Sequence, residues 1–384
     1  MESAEHAWLV ELRRELHRIP ELGFDLPRTV ERVLAHIRAV APRARVREGV
    51  GRSGIVVDVD VAGAPSPRDR WAFRADMDAL PIVEESGEDF SSAHPGRAHM
   101  CGHDAHMAIL LGFLKSAVER PAGLRHHLRL LFQPSEEVPP GGALAMIADG
   151  CLEGVSRVFG LHVFPIWEVG QVALAAGPVM ACADFFDLTI TGQGGHAAYP
   201  HLARDPVWLV VQAVQAFQGI LTRRVDPLQP AVISVTKLAG GQANNVIPET
   251  ASLGGTVRTF DRAVRDAIRA DMFAAVEGIC AAQGARADWN YLEGYDPTIN
   301  DPETVRFAAA ALQGRGIEQV PFKPMMGGED FAYYLQQRPG AFFGLGCGNR
   351  AAGITHFCHS PHFRVDERCL SVGVELFRAL ASAS

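Results

Sequence analysis

The stretch HMCGHDAHMA, residues 99–108, places His99, Cys101, His103, Asp104 and His106 within ten positions. Such a set can be a metal site, the nucleophile and base of a cysteine hydrolase, or polar residues that fall together. Four further segments carry the same donor types: RADMD (74–78), QPSEE (133–137), GLHVF (160–164) and CHSPHF (358–363). Cysteine, histidine and carboxylate drawn from separate elements is how large enzymes assemble a metal centre, unlike the compact pairs of a zinc finger. Cys101 and His103 are two apart on what should be extended chain, so their side chains can face one way. Asp104 is expected to cap the helix that follows. His106 falls one turn beyond His103, where a supporting role suits it as well as ligation does, and His99 shares the parity of Cys101. The adjacent Glu136 and Glu137 point apart on extended chain. At a strand end that bends, both can border one cavity, one binding metal while the other moves protons. A solvated surface pair is the alternative, disfavoured because an apolar strand, LRLLFQP, leads into them.

The elements that must position these residues follow from hydrophobic patterning. GIVVDVDV, WAFRADMDAL, HLRLLFQ and SRVFGLHVF read as near-continuous apolar strands, with helices over 104–119 and in GGALAMIADG between them. That alternation predicts an α/β sheet covered on both faces. In such a sheet chemistry gathers at the carboxyl ends of the strands, where the donor segments lie. From about 184 to 293 the order becomes β-α-β-β-α-β, with helices over 205–221 and 261–282, the split arrangement of a ferredoxin-like domain. Helices near 301–313 and 328–337, the strand AFFGLG and a last helix from about 366 return to α/β character. The expected organisation is a metal-binding α/β catalytic domain (1–180 and 294–384) with an inserted ferredoxin-like α+β satellite domain (181–293).

The whole chain bounds the function. It has 384 residues, 48% of them hydrophobic, which predicts two domains with substantial cores. The net charge is −8 and no basic tract occurs, so neither nucleic acid nor an anionic membrane is the expected partner. No apolar run approaches the roughly 20 residues of a membrane span. The first residues, MESAEHAWLVELRRELH, read as an amphipathic helix and not as a leader. Seven scattered cysteines fit reduced thiols, and a cytoplasmic location is expected.

With these residues in place, the chain resembles the aminoacylase/carboxypeptidase-type di-metal amidohydrolases. It is most similar to the branch of hippurate hydrolases, N-acyl-amino-acid amidohydrolases and auxin–amino-acid conjugate hydrolases. The motifs that carry the resemblance run almost end to end: LRRELHRIPELGF, RADMDALP, MCGHDAHMA, QPSEE, GGALAMIADG, GLHVFP, TGQGGHAAYPH, GGQANNVIPE, GGTVRTFD, GGEDFAYY and CHSPHFRVDE. The resemblance implies metal ligation by Cys101, His103, Glu137, His162 and His359, with Glu136 as general base. It implies that His196 helps polarise the scissile carbonyl, reaching across a dimer, and that Asn245 and Arg258 hold the substrate, Arg258 through a free carboxylate. The wider family has a metal-binding histidine at the position of Asp76, which implies that the ligand has moved onto the Cys-x-His segment. The resemblance leaves the bridging residue and the parts of Asp76 and Asp78 open. Serine in QPSEE replaces the more usual alanine, a change expected to be neutral.

The implied reaction is hydrolysis of the amide of an N-acyl or N-aroyl amino acid, a small-molecule substrate, by a homodimer or higher homo-oligomer. Two divalent ions (zinc, manganese, cobalt or nickel) are the expected cofactors. A bound divalent ion brings the pKa of its water to about 7, and an uncoordinated carboxylate can take up the remaining proton and deliver it to the leaving amine. A di-metal dipeptidase or carboxypeptidase is the nearest alternative. A cysteine hydrolase built on Cys101 leaves Glu137, His162 and His359 without purpose, and a silent binding protein has no use for Glu136.

Overall fold

The computed structural model describes residues 3–62, 64 and 69–383. Within them the chain divides into two compact units, 1–179 with 299–323 and 330–384, and 180–298 with 324–329. The second unit therefore runs past the expected limit at 293 and also takes in 324–329.

The first unit opens with α1 (Ser3–His17) and α2 (Pro27–Val40), followed by β1 (Arg45–Val50), β2 (Gly54–Val59) and β3 (Arg70–Asp76). Next come α3 (His103–Glu119), β4 (His127–Gln133), α4 (Gly142–Ala148), β5 (Val155–Glu168) and β6 (Gln171–Leu174). The chain leaves through β7 (Gly177–Met180). Every residue of β3 is buried, as are the last six of β4, which is why their sequences are almost continuously apolar.

In the second unit, β8 (Cys182–Thr191) alternates inward and outward residues, the pattern of a sheet with one covered face. The short β9 (Gly195–His196) precedes α5 (Pro206–Arg223), whose N-cap Asp205 accepts from the amides of Val207 and Trp208. β10 (Ala231–Gly240), β11 (Val246–Ile247) and β12 (Thr250–Thr259) lead to α6 (Arg262–Gln283) and β13 (Arg286–Leu292). The sheet order is β10-β12-β8-β13 and all its pairs are antiparallel, with α5 and α6 closing one core over it. This is the split β-α-β-β-α-β arrangement.

The chain returns through β14 (Thr298–Asn300) to α7 (Pro302–Ala311), β15 (Glu318–Pro321), α8 (Ala332–Gln337), β16 (Gly340–Gly348) and α9 (Cys369–Ser382). The described residues of the first unit form an eight-stranded sheet, β1-β2-β4-β3-β5-β16-β6-β15. Its centre, β4-β3-β5-β16, is parallel, so those strands end on one edge. α3, buried over most of its surface, packs against α1 and α9. A Cβ on Gly112 would strike Leu9 and Val374, and one on Gly373 would strike Ile109, so both glycines permit the close helix approach.

Three local expectations change. Asp104 does not cap α3: the N-cap is Gly102, and the Asp104 carboxylate is buried against Arg13 and His17. The segment 101–103 is correspondingly a turn into a helix and not extended chain. Residues 328–331 precede the helix expected to start at 328, which begins only at Ala332.

Candidate metal centre

The turn at Gly102 decides how the opening cluster is used. Its φ is +93°, and any Cβ there would collide with the Val163 side chain on β5, so glycine is required on both counts. With Gly102 in place, Cys101 turns toward β5, and its Sγ lies 3.2 Å from His162 Nε2. His162 Nδ1 donates to the Val163 carbonyl at 2.8 Å, which leaves Nε2 as the lone-pair nitrogen facing the thiol.

His103 is fixed in the same manner. Its Nδ1 donates to the Asp78 carbonyl at 2.8 Å, and Nε2 is buried without a hydrogen-bond partner. Around that nitrogen stand Asp76 Oδ2 at 3.6 Å, Glu137 Oε1 at 3.7 Å and Glu136 Oε2 at 3.9 Å. Burial opposes a charge on this imidazole, but Asp76, Asp78 and Glu137 outweigh it and push its pKa up to about 10. The pocket is thus rich in negative charge and draws cations.

The turn after β4 carries the glutamates. Ser135 is in the left-handed region at φ +55°, and Asp78 receives the amides of Glu136 and Glu137 on its two carboxylate oxygens, at 2.8 and 3.1 Å. Glu137 Oε2 lies 3.3 Å from His359 Nε2, while its Oε1 is buried and has no hydrogen-bond partner. His359 is also left-handed, at φ +68°, and its amide donates to the Met100 carbonyl at 2.8 Å, tying CHSPHF to the start of the cluster.

Four donor groups result around Cys101 and His103, each with its ligand atoms within 4.8 Å of one another: Cys101/Glu137/His359, Cys101/His162/Cys358, His103/Glu136/Glu137 and Asp76/His103/His106. Cys101 belongs to two of them and Glu137 to two. The five residues expected as ligands therefore meet in one cluster, with the His359 imidazole within reach of the Cys101 thiol. Sulfur, imidazole and carboxylate donors, two of them buried without partners, fit divalent transition metals.

His106 and Asp76 are also close to His103, but their atoms are engaged. His106 Nδ1 donates to Asp76 Oδ1 at 2.6 Å, and its Nε2 accepts the Val163 amide at 2.9 Å. Asp76 Oδ2 receives Arg74 at 2.6 Å. Burial works against ionisation of Asp76, yet Arg74, His103 and His106 hold it well below the usual carboxylate range. His99 is buried with neither ring nitrogen bonded, and that burial lowers its pKa to about 3. It belongs to none of the donor groups. Sequence reasoning missed Cys358, whose only signal was its place beside His359, and the clamping role of Asp78.

The other expected residues lie in the second unit. His196, on β9, pairs with Val246 of β11; its Nδ1 accepts the Ala198 amide at 3.1 Å, and the residue is exposed. The carbonyl of Asn245, also exposed, accepts from the Ala197 amide. Arg258, on β12, sets its guanidinium 5.1 Å from the centre of the Phe185 ring. No carboxylate hydrogen-bonds or ion-pairs with it among the described residues, and Asp261, its obvious neighbour, caps α6 instead. Burial lowers its pKa. A half-buried guanidinium in that state is suited to an incoming anion.

Comparison with known proteins adds a family. The profile of peptidase family M20/M25/M40 matches residues 72–383. N-acetyl-L-cysteine deacetylase of Bacillus subtilis (strain 168) is 38% identical over 362 residues, spanning 94% of this chain and 84% of that one. Thermostable carboxypeptidase 1 of Saccharolobus solfataricus is 37% identical over 376 residues, 97% of this chain and 94% of that one. The crystal structure of Bacillus subtilis YXEP, described as a dinuclear metal binding peptidase from the M20 family, superposes with a TM-score of 0.85 at 32% identity, covering 99% of this chain and 98% of that one.

Proposed function

This chain belongs to peptidase family M20/M25/M40 and is an amide-cleaving hydrolase of it, and we propose that it releases free amino acids from N-acyl or N-aroyl amino acids with two divalent ions at the Cys101 cluster. The observation that carries the reading is the division of labour between adjacent glutamates. Glu137 converges with Cys101 and His359 as well as with His103, whereas Glu136 stands beside His103 and Glu137 but in neither Cys101-centred group. Cys101, His103, Glu137, His162 and His359 would hold the ions, whose chemistry there would be Lewis acidity and a water of pKa about 7.

Glu136 takes the proton of the attacking water and passes it to the leaving nitrogen. Its backbone is anchored by Asp78, so the carboxylate stays at the cavity wall through both transfers. Arg258 offers its fork to the free carboxylate of the amino acid, and Asn245 orients the substrate. His196, with Nδ1 occupied by the Ala198 amide, donates through Nε2 to the oxyanion, a contribution of about 3–4 kcal/mol in comparable sites.

We infer that His196 and Arg258 serve one substrate from two different chains. Thr250 opposite Thr191 closes one end of the β12–β8 ladder, and Arg258 opposite Ala183 is the last pair but one at the other. At about 3.3 Å per residue these pairs are roughly 25 Å apart, and His196 follows Thr191. A homodimer in which each chain lends His196 to its partner satisfies both residues. A cytoplasmic location agrees with seven free thiols, two of them in the cluster.

The test is hydrolysis of N-benzoylglycine and N-acetylmethionine by protein stripped with chelator and reloaded with zinc, manganese, cobalt or nickel. Activity returns with metal, and Glu136→Gln keeps its metal while turnover falls about 10²–10⁴-fold. Near-normal turnover in that variant removes the general base from the scheme. The carboxypeptidase relative supports a second reading as a dipeptidase or carboxypeptidase. Faster cleavage of dipeptides than of N-acyl amino acids in the same assay decides for it.

A further inference from the structure

We propose that Cys358 is a metal ligand: its thiolate joins Cys101 Sγ and His162 Nε2 as the third donor of one metal position, making that position a two-sulfur site that prefers zinc to manganese. The inference rests on the metal-dependent reading above, and goes beyond it in adding a donor that the motif pattern does not call for.

The geometry carries it. The three donor atoms lie within 4.8 Å of one another, and the Cys101–His162 edge of the triangle is 3.2 Å. Ligands held at about 2.0–2.3 Å by one tetrahedral ion stand roughly 3.5 Å apart, so small side-chain adjustments bring all three to one centre. His162 is already committed, since its Nδ1 donates to the Val163 carbonyl and only Nε2 faces the sulfurs.

Cys358 is directed there by the backbone. The left-handed φ of His359, its amide bond to Met100 and the Sγ position of Cys358 together let two consecutive residues address the same thiol from two donor groups. On an ordinary extended segment residues 358 and 359 would point apart. The Cys358 thiol also donates to the Val163 carbonyl at 3.8 Å, which holds it beside the residue that fixes the His162 tautomer.

The chemical consequence is selectivity. Imidazole and carboxylate accept manganese, cobalt, nickel and zinc alike, while each added thiolate shifts preference toward the softer ions. With Cys101 alone the tilt toward zinc is slight; with Cys358 the position carries two sulfurs and one nitrogen.

The experiment is zinc X-ray absorption on the full chain, reduced and loaded with two equivalents of zinc, combined with zinc titration against a chromophoric chelator. The expected result is sulfur scattering in the wild type that drops by one sulfur per two zincs in Cys358→Ser. The weaker of the two zinc affinities should fall at least about tenfold in that variant, and the preference for zinc over manganese should narrow. Equal sulfur counts and equal affinities overturn the assignment. The wild-type spectrum guards against a variant that fails to fold, because an average of half a sulfur per zinc leaves room for one Zn–S bond only and excludes Cys358, whereas at any higher count the loss of one sulfur in the variant decides. The readout does not depend on turnover: a protein that hydrolyses N-acyl amino acids with Cys101 as sole sulfur loses this inference and keeps its function. One that binds zinc through both sulfurs yet cleaves no such amide loses the function and keeps the ligand.

Discussion

At the scale of single residues, Asp78 does more than its place in RADMD announces. Its carbonyl fixes the tautomer of His103, and its two carboxylate oxygens hold the amides of Glu136 and Glu137. One residue thereby holds His103, Glu136 and Glu137 together, and it braces the left-handed turn at Ser135. Burial raises the pKa of its carboxyl, and the site accepts that cost because both oxygens are satisfied. Asparagine at this position keeps one acceptor and sets an NH2 group against an amide N–H. Asp78→Asn should therefore weaken metal affinity about 10–100-fold while leaving the fold intact. Chelator competition and far-UV circular dichroism measure the two separately, and unchanged affinity would show that the clamp is dispensable. The motif revealed that carboxylates end this strand, but which oxygen meets which amide depends on the path of the turn after β4.

At the scale of elements, the first turn of α3 is held by α1. Arg13 Nε and His17 Nδ1 both reach Asp104 Oδ2, at 2.7 and 2.8 Å, and His17 Nε2 reaches Glu84 Oε1 at 3.1 Å. This cluster anchors the residue immediately after His103. Burial opposes the His17 proton, yet Asp104 and Glu84 outweigh it and raise the pKa above the ordinary 6.5. A raised folded-state value means that the stabilisation is complete below about pH 6.5 and is lost as pH climbs through the folded value. Glu84 behaves oppositely. Burial alone would raise it, but His17 and the other donors around it lower it from 4.5 to about 2, so its stabilisation is present above pH 4.5 and lost toward pH 2. The Tm of the wild type should fall above pH 6.5 by a component that His17→Gln lacks. Parallel Tm–pH curves for the two proteins would exclude His17 as its source. The helix and its amphipathic face were legible in LRRELH, while the burial of His17 was not, since its partners lie 67 and 87 residues away.

At the scale of the whole molecule, the second unit carries the residues whose proposed roles call for a second chain. Arg258 lies near one end of the β12–β8 ladder and His196 on β9, five residues past Thr191 at the other end, and this unit also exposes Tyr199, Leu202, Trp208 and Leu238. Exposed apolar side chains of this size favour association. If two chains complete each site, the variants His196→Ala and Arg258→Ala are each inactive alone, yet their mixture regains activity, because a mixed dimer holds one site with both residues intact. Mixed protein, after dissociation and reassembly, is assayed against each variant by itself. Continued inactivity of the mixture, with exchange of subunits verified, would place both residues in one chain's site.

The sequence by itself determined what depends on nearest neighbours and period: the buried parallel strands, the β-α-β-β-α-β order, and the donor types at the strand ends. Through its motifs it also indicated which five residues meet. It misjudged 101–103 as extended, because a glycine at φ +93° under Val163 is a tertiary requirement. Only the folded structure decided that His106 and Asp76 spend their atoms on each other and on Val163 and Arg74, that Asp78 receives the amides of Glu136 and Glu137, and that Cys358 stands beside Cys101. A donor's residue type is written in the chain. Whether its lone pair is free depends on contacts from distant segments, and those exist only after the sheet has brought its strand ends together.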